Sequence, residues 1–561
     1  MGKEVFVDRR KYTIGIDFGT LSGRSVLVDT KDGSVAASAV CEYAHKVMEK
    51  ALPDGTPLGA DWALQHPGDY LNVLFETIPA VLKESGVRPE DVIGIGVDCT
   101  SCTMVPAKKD GMPLCMLEPY QKSPHAYVKL WKHHAAQGQA DRLNQIAKER
   151  GEPFLARYGG KVSSEWMLPK LMEICEEEPE IYQAADRFFD AADWICLVLT
   201  GKESRSASSA GYKALWHKKS GYPSGEFFKA LHPLLEAIPS EKLGTEILPQ
   251  GALAGYISAE FAKHTGLSPR TAVSVGNIDA HVALPSVGIT GPGKLLMIMG
   301  TSTCDIVCSE TERLVPGTCG VVEDGVLPGL YGYEAGQPCV GDMLAWFVEK
   351  QVPEEYKKMA AGQNMDLHAF LSGLAGRLSP GESGLLALDW WNGNRSVLVD
   401  AKLSGLILGL TLATRPEEIY RALIEATAFG QRMILETFEE AGVPIKELYA
   451  CGGITKKNPL MMQIYTDVCG REIFIGSAKE SPALGAAMFG AVAAGRAAGG
   501  YDTIFDAAQA MGRVEEKSFR PDAKRAAVYG RLYQEYKRLH EYFGRGGNDV
   551  MKTLRALRSR L

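Results

Sequence analysis

The residues best suited to chemistry lie in a short turn between two apolar runs near the start of the chain. Residues 12–29 read YTIGIDFGTLSGRSVLVD, so one apolar run ends on Asp17 and a second follows the small-residue turn from Gly19 to Gly23. Glycine allows the backbone to approach a ligand closely, hydroxyls add hydrogen-bond donors, and an adjacent acid can hold a cation. The stretch therefore predicts a hairpin that binds phosphate with a divalent metal, and an ordinary hairpin with a polar turn is the alternative.

A second stretch repeats this plan far along the chain. Residues 294–308 read KLLMIMGTSTCDIVC, an apolar strand, a glycine-threonine-serine-threonine turn and another apolar strand. Two such hairpins indicate a duplicated fold in which each half supplies one phosphate clamp. A glycine-proline-glycine segment at 291–293 precedes the second hairpin. We therefore predict one domain of residues 10–288 and another of residues 289–561.

The composition is that of a globular protein and argues against several classes. The chain has 561 residues and a net charge of −7, whereas a nucleic-acid-binding protein needs a basic face. Its charged start lacks the apolar core of a signal peptide, and no apolar run is long enough to span a membrane. The 12 cysteines are scattered, as expected of reduced thiols in the cytoplasm. The CxxC at Cys99 and Cys102 has no second pair, which argues against a zinc site. The basic segment 551–561 predicts a solvated terminal helix.

Chemically useful side chains also follow a buried-type strand, DVIGIGVDCTSCTMVP at residues 91–106. In open α/β sheets, polar residues at the carboxyl ends of strands point into the ligand crevice. Asp98, Thr100 and Ser101 are therefore candidate ligands, with a plain turn as the alternative. Lys213 lies in a small-residue stretch, ASSAGYKALWH, that we interpret as a loop, where a lysine either reaches for water or binds substrate.

Two acids lie on either side of the predicted boundary. Asp279 follows a strand that ends at Gly276, and His281 is two residues farther on. Because clefts commonly lie at the seam between domains, Asp279 is a candidate for a cleft residue. Glu334 lies in a glycine-rich stretch that we interpret as a loop before a helix, and an exposed loop acid is the alternative.

A glycine pair, Gly452 and Gly453, precedes a helix that we expect Asn458 to cap, with Pro459 at its first position. Backbone approach at a glycine pair beside a helix N-terminus suits a nucleotide. The chain has no GxxxxGK[ST], no GxGxxG after a strand and no HExxH, so a P-loop protein is excluded.

Three further helices are predicted from spacing and caps. Residues 125–137, HAYVKLWKHHAAQ, have amphipathic spacing, and residues 163–175, SSEWMLPKLMEIC, predict a second helix. Residues 481–495, SPALGAAMFGAVAAG, predict a small-residue helix that can pack closely on a sheet or admit a flat base, with Ser481 as its cap.

Together these motifs resemble a known group of proteins over nearly the whole chain. IGIDFGT, MGTST and ACGGITKKNP are similar to the two phosphate motifs and the adenosine motif of the actin-like ATPase superfamily. SGLILGLTLATRPEEIYRALIEA closely resembles the second signature of the FGGY carbohydrate kinases, whereas the helix with Trp166 and Lys170 matches the first signature only loosely. DCTSCTMVP, HAYVKLWKHH, SAGYKALWH, GNIDAHV and GYEAGQ look like the family members that phosphorylate L-ribulose in bacterial arabinose breakdown.

The resemblance implies an α/β protein of two RNase H-like domains, with ATP, Mg²⁺ and an open-chain sugar in the cleft between them. It implies ATP-dependent phosphorylation of L-ribulose to L-ribulose 5-phosphate in the cytoplasm, by a homodimer that binds neither nucleic acid nor membrane. One alternative is a kinase for another ketopentose or a pentitol, such as xylulose. Another is an actin- or Hsp70-like ATPase without a sugar substrate, which would not need Asp279, Lys213 and Glu334. For the Hsp70-like version, no peptide-binding domain is expected after residue 561.

The resemblance also assigns a role to each candidate residue. Asp279 matches the catalytic base, Asp17 would hold the metal, and His281 either orients Asp279 or only packs. The residues expected to contact the sugar are Asp98, Ser101, Lys213, Asp279 and Glu334. Those expected to contact the phosphates are Gly19, Thr20, Ser22, Arg24, Gly300, Thr301 and Ser302, and those expected beside the adenosine are Gly452, Gly453 and Asn458.

Overall fold

The computed structural model describes residues 10–558, in which two large β-sheets are surrounded by helices. The first sheet lies within residues 12–278 and the second within residues 294–475. The strands of the first part are β1 (Tyr12–Phe18), β2 (Ser22–Asp29), β3 (Val35–Glu42), β4 (Leu64–Gln65), β5 (Val92–Cys99), β6 (Met104–Ala107), β7 (Val128–Lys129), β8 (Arg187–Asp190), β9 (Arg205–Ser206), β10 (Ile247–Leu248), β11 (Leu253–Tyr256), β12 (Ala272–Ser274) and β13 (Asn277–Ile278).

The helices of this first part pack on both sides of its sheet and around a smaller sheet. They are α1 (Pro67–Ser85), α2 (Gln137–Arg150), α3 (Met167–Glu177), α4 (Pro179–Ala184), α5 (Ala191–Thr200), α6 (Ala207–Lys213), α7 (Gly225–Leu231), α8 (Ala259–Thr265) and α9 (Asp279–Ser286). The smaller sheet has the strand order β4-β7-β6-β8. Its position beside the main sheet gives this half a second apolar core.

The second part is built from fewer strands. They are β14 (Lys294–Met299), β15 (Thr303–Ser309), β16 (Gly320–Glu323), β17 (Tyr331–Gln337), β18 (Leu386–Leu388), β19 (Leu406–Leu408), β20 (Glu447–Cys451) and β21 (Ile473–Ile475). Its helices are α10 (Gly341–Lys350), α11 (Glu354–Gly362), α12 (Leu367–Ala375), α13 (Pro416–Glu440), α14 (Gly453–Lys457), α15 (Pro459–Cys469), α16 (Ser481–Ala494), α17 (Ile504–Met511), α18 (Ala523–Gly544) and α19 (Val550–Arg558).

The two large sheets follow the same plan. In the first, the antiparallel hairpin β1–β2 continues into antiparallel β3, and β1 also pairs in parallel with β5. In the second, the antiparallel hairpin β14–β15 continues into antiparallel β17, and β14 also pairs in parallel with β20. This repetition agrees with the duplicated fold that the two glycine-threonine turns predict.

Helix α16 connects the halves, because it follows the strands of the second sheet in sequence yet packs against the first sheet. Glycines on β1 and β5 make this contact possible, since a Cβ at Gly15 would lie 1.7 Å from the carbonyl oxygen of Ala483. A Cβ at Gly96 would lie 1.8 Å from the carbonyl oxygen of Ala486. Backbone thus meets backbone, and the predicted close packing of this helix on a sheet is confirmed.

Several predictions of local secondary structure differ from the structure. The amphipathic helix predicted at 125–137 is wrong, because most of that segment forms a short 3₁₀ turn, strand β7 and a turn before α2 begins. Lys213 lies at the end of helix α6 and Glu334 within strand β17, so both loop interpretations are also wrong. Helix α16 begins at Ser481 itself and not one residue after it.

Other local predictions agree with the structure. Asn458 caps α15 by accepting a hydrogen bond from the N–H of Met461 at 3.1 Å, and Pro459 is the first helical residue. The final basic segment forms the mostly exposed helix α19, and its last three residues lie outside the described range. Within residues 10–558, no helix combines the length and the apolar run that crossing a bilayer requires.

Candidate active site

A row of polar side chains crosses the first sheet where its parallel strands end. Asp17 on β1 pairs in register with Arg24 on β2 and with Asp98 on β5, and Asp98 pairs with Asn277 on β13. Asp279 follows two residues after Asn277, as the first residue of α9. Because the carboxyl ends of parallel strands meet at one edge, three carboxyl groups that are distant in sequence converge there.

The electrostatics of this edge favour a bound cation. Burial raises the pKa of Asp17, and the neighbouring Arg24, with its Nε 3.5 Å from Oδ2, opposes that shift. Burial, followed by the charges of Asp17 and Asp279, raises the pKa of Asp98 well above its ordinary value. When Asp17 and Asp98 are both ionised, no N–H or O–H of the described residues donates to either carboxyl oxygen of Asp98. When Asp98 is protonated, its O–H donates to the carboxylate of Asp17.

These unpaired carboxyl oxygens fit a divalent metal that is shared with phosphate. Hard cations such as Mg²⁺ take oxygen ligands and keep few protein carboxylates when phosphates supply the remaining positions. Within the described part of the chain, no group of three or more histidine, cysteine or acidic side chains forms a complete metal cage. The donor set of Asp17 with Asp98 therefore suits a metal held jointly with a ligand, rather than a permanent structural ion.

Asp279 faces the seam and has the properties of a base. Its Oδ1 accepts a hydrogen bond of 2.8 Å from the N–H of Ala280. Burial raises the pKa of Asp279 to about 7, the charge of Asp17 adds to the rise, and the Ala280 N–H and Lys213 oppose it. A carboxylate whose pKa lies near neutrality can accept a proton from a hydroxyl and later release it.

A buried ion pair joins the two halves next to Asp279. The Nζ of Lys213, on α6 of the first half, donates to Oε2 of Glu334 on β17 of the second half at 2.9 Å. Burial alone would lower the pKa of Lys213 and raise that of Glu334, but their mutual attraction outweighs burial and shifts each pKa the other way. Both groups are therefore charged at neutral pH, and their remaining donors and lone pairs suit sugar hydroxyls.

His281 supports this pair rather than Asp279. Burial lowers the pKa of His281, so the ring is neutral at pH 7. Its Nε2 lies 3.3 Å from Oε2 of Glu334, and its Nδ1 lies 2.9 Å from Oγ of Ser208. The network assigns a proton to Nε2, which donates to Glu334, and a hydroxyl proton from Ser208 to Nδ1. Ser208 had no sequence signal, because one serine in a small-residue stretch is indistinguishable from its neighbours.

The turn that carries Ser101 is held by a buried lysine from the loosely matching first signature. Lys170 is 0 % exposed, and its Nζ donates to the carbonyl oxygens of Cys102 at 2.7 Å and Leu130 at 2.9 Å. Cys102 has a φ of 58°, a left-handed conformation that costs free energy in a residue other than glycine. Lys170 therefore stabilises a strained turn beside the candidate sugar site.

We expect Lys170→Met to lower the apparent melting temperature by about 4–8 °C. The substitution leaves the buried carbonyl of Cys102 unpaired and that of Leu130 with only the N–H of His133, at a cost of about 2 kcal/mol. Differential scanning calorimetry measures the change. Lys161 is exposed, so Lys161→Met is the matched control and is expected to change stability by less than about 0.5 kcal/mol. Equal melting temperatures for the two variants would contradict this role of Lys170.

The two glycine-threonine turns close in similar ways. The N–H of Gly19 donates to the carbonyl of Ser22 at 3.0 Å, and the N–H of Gly300 donates to the carbonyl of Ser302 at 2.9 Å. Thr20 is fixed from the side, because Nε1 of Trp131 donates to its hydroxyl at 3.2 Å and Nε2 of Gln65 to its carbonyl at 2.8 Å. Thr301 is exposed. Both turns thus present small residues on rigid strands.

The two glycines of the pair Gly452 and Gly453 differ in what they contribute. Gly452 has a φ of 100°, and a Cβ there would lie 2.4 Å from the carbonyl oxygen of Met299, so only glycine fits. A Cβ at Gly453 would meet no atom within 4 Å, which leaves open space at the start of α14. Asn458 is buried one residue before α15. The segment therefore offers an open backbone surface that fits a nucleotide.

Arg24 is engaged by acids from both halves. Its Nη1 lies 2.5 Å from Oε2 of Glu480, which directly precedes α16, and its Nε lies 3.5 Å from Asp17. Glu480 is a further residue of this site that sequence reasoning missed, because an acid before a helix is an ordinary N-terminal feature.

Comparison with known proteins identifies the family of this chain. Residues 12–285 match the model of the FGGY family of carbohydrate kinases, N-terminal domain, and residues 295–494 match the C-terminal domain of the same family. The crystal structure of xylulose kinase from Rhodospirillum rubrum covers 95% of this chain and 98% of its own, with a TM-score of 0.76 and 25% identity. The predicted fold class, two RNase H-like domains with a cleft, is confirmed.

Curated relatives match over nearly their entire length. The chain is 56% identical over 550 residues to "Ribulokinase" from Halalkalibacterium halodurans, covering 98% of each chain. It is 57% identical over 540 residues to "Ribulokinase" from Bacillus licheniformis, covering 96% of this chain and 98% of the relative. The chain therefore belongs to the FGGY family of carbohydrate kinases and is a sugar kinase.

Proposed function

We propose that this protein phosphorylates L-ribulose with ATP to give L-ribulose 5-phosphate, as a step of L-arabinose breakdown in the cytoplasm. The single observation that carries the proposal is the position of Asp279 beside the Lys213–Glu334 pair, at the seam between the halves. The curated relatives named ribulokinase support the choice of sugar. An actin-like ATPase without a sugar substrate has no use for this pair.

In the mechanism we propose, Asp279 accepts the proton of the terminal hydroxyl of the sugar as that oxygen attacks the γ-phosphorus in line. The bond from this phosphorus to the bridging oxygen of ATP breaks, and ADP leaves. Phosphoryl transfer depends mainly on positioning and charge neutralisation, with little covalent help from the protein. Lys213 donates to a sugar oxygen, and Glu334 accepts from a sugar hydroxyl. Their ion pair crosses the two halves, so a bound sugar contacts both at once.

The remaining assignments concern the nucleotide and its metal. Mg²⁺ would neutralise phosphate charge, and Asp17 is the residue predicted to hold it. We assign Asp98, which the resemblance places at the sugar, to this metal as well, because its carboxyl oxygens have no donor among the described residues. The N–H groups of the turns that carry Gly19 and Gly300 would bind the phosphates, and the open surface at Gly453 would border the adenosine. We retain the predicted division, with sugar and base mainly in residues 10–288 and nucleotide mainly in residues 289–561; the exceptions are the Gly19 turn with Asp17 and the sugar contact Glu334, each of which lies in the other half. We also retain the predicted homodimer as part of the proposal.

We expect kcat/KM for the sugar to rise with pH about tenfold per unit up to about pH 7 and then to level off. The reason is that Asp279 must be ionised to accept a proton, and burial raises its pKa to about 7 in the free protein. Initial rates at concentrations of ATP and sugar well below their KM values, across pH 5–9, report on the free protein and measure this rise. A flat profile between pH 5.5 and 8 would contradict the assignment of Asp279 as the base.

A panel of acceptors tests the substrate. ADP release is measured with L-ribulose, D-ribulose, D- and L-xylulose, ribitol, L-arabinitol and no sugar. We expect L-ribulose to have the highest kcat/KM and turnover without sugar to be negligible. A higher value for xylulose or a pentitol would move the protein to another kinase of the family, and sugar-independent turnover would favour the ATPase alternative.

A further inference from the structure

Arg395 lies in a short segment of the second half that is fixed on both of its flanks. The backbone of Asn394 exchanges two hydrogen bonds with that of Asp400, at 3.0 and 2.9 Å. The side-chain oxygen of Asn394 also accepts from the N–H of Leu398 at 2.9 Å, and Asn394 is buried. The backbone position of Arg395 is therefore well determined although it lies in no helix or strand.

The same segment is tied to the strand that carries Glu334. The hydroxyl of Ser396, which is buried, accepts from the N–H of Gly336 at 3.2 Å, two residues along β17 from Glu334. The next residue, Val397, packs against Gly317 so tightly that a Cβ on this glycine would lie 2.0 Å from the Val397 carbonyl oxygen. These contacts bring the arginine to the second-half wall of the cleft, near the acid that pairs with Lys213.

The guanidinium of Arg395 has acidic neighbours but no partner. Among residues 10–558, no hydrogen bond or ion pair engages it, and its side chain is only partly buried. Burial would lower its pKa, yet the neighbouring Glu165, followed by Cys319, Cys304 and Glu334, holds that pKa above its ordinary value. Glu334 is already bonded to Lys213 and His281. The five N–H donors of this guanidinium are thus left without an acceptor among the described residues.

The order of groups along the cleft suggests what these donors bind. The charges of Glu334 and Lys213 act on Asp279, whereas those of Glu165 and Glu334 act on Arg395, and Asp279 is not among the groups that act on it most strongly. We propose that Arg395 binds the oxygens at the end of the acceptor sugar that is remote from the phosphorylated hydroxyl, and so favours a ketose over its reduced polyol. A guanidinium has donors only, and it presents two of them in a fork that suits a carbonyl oxygen with an adjacent hydroxyl oxygen.

This inference rests on the proposed function, and its test separates the two. Wild type, Arg395→Met, Arg395→Lys and Arg377→Met are assayed for KM of L-ribulose, KM of ATP, kcat, and the inhibition constant of ribitol against L-ribulose. Arg377 is exposed, so its variant is the matched control. Melting temperatures establish that each variant is folded.

For Arg395→Met, we expect kcat/KM for L-ribulose to fall about 10²-fold, with KM for ATP within about twofold of wild type. The preference for L-ribulose over ribitol should fall about tenfold, because the lost donors act on the keto end. Arg395→Lys should restore part of the affinity but little of the preference, since an ammonium has no fork. Arg377→Met should match wild type.

Three outcomes would overturn the inference. They are an unchanged KM for L-ribulose in Arg395→Met, an unchanged ketose preference, or an equal rise in KM for ATP. Each of these leaves the proposed function intact if wild type phosphorylates L-ribulose. Failure of wild type to do so is a separate result that refutes the proposed function itself.

Discussion

Asp279→Asn is expected to lower kcat by about 10²–10⁴-fold while ATP still binds, because asparagine keeps the shape of the side chain and cannot accept the proton of the sugar hydroxyl. Steady-state kinetics with L-ribulose and calorimetric titration of ATP measure the two effects. Turnover close to that of wild type would rule out Asp279 as the base.

The same variant should be more stable than wild type at pH 8. The folded-state pKa of Asp279 is raised from 3.8 to about 7, so its ionised form destabilises the fold. By linkage this destabilisation is complete above about pH 7 and disappears below the unfolded pKa. The gain in melting temperature should therefore be larger at pH 8 than at pH 5. A loss of activity together with a loss of stability would instead indicate damage to the fold.

Asp305→Asn is a matched control for these measurements. Asp305 on β15 is 0 % exposed, and burial raises its pKa to about 7 as well, with the neighbouring Gln431 opposing the rise. Our mechanism gives it no role. We expect Asp305→Asn to raise stability at pH 8 but to leave kcat within about twofold.

Lys213→Met is expected to raise KM for L-ribulose by about 10²-fold, because it removes a charged donor to the sugar, a hydrogen bond worth about 1.5–3 kcal/mol. KM for ATP should stay within about twofold. Lys218 is more exposed and also pairs with acids, Glu323 at 3.1 Å and Asp324 at 2.6 Å, so Lys218→Met is the control and should have little effect.

A second variant separates binding from stability. Lys213→Met leaves Glu334 buried without its cation, and this should lower the melting temperature. Adding Glu334→Gln removes the unpaired charge, so the double variant should recover much of the melting temperature and none of the sugar affinity. An equal rise in both KM values would show that Lys213 does not act on the sugar.

The sequence predicts best where a residue has a local signature. Asp17 and Asp98 end apolar strands, and Asn458 with Pro459 forms a helix start whose chemistry depends on neighbouring residues alone. For this reason the duplicated hairpins and the capped helix α15 agree with their predictions. The residues assigned to phosphate, adenosine and metal binding remain predictions.

Predictions fail where distant contacts decide the structure. Residues 128–129 are a strand because β4 and β6 pair with them, which the helical spacing could not reveal. Glu334 lies in a strand despite its glycines, because Gly332 and Gly336 make room for neighbours: a Cβ at Gly336 would lie 2.2 Å from the carbonyl oxygen of Thr303. Ser208, Glu480 and Arg395 gain their significance only from residues far away in the chain.

The seating of α16 on the first sheet has a consequence for dissecting the protein. A fragment that ends near residue 288 would lack this helix and would leave the glycines of β1 and β5, Gly15, Gly94 and Gly96, bare to solvent. Expressed alone, such a fragment should aggregate, whereas a circular permutant that keeps residues 481–494 should remain dispersed. A gene split between the two halves is therefore disfavoured during evolution. Relatives that gained extra domains are expected to carry them at positions that do not interrupt this helix.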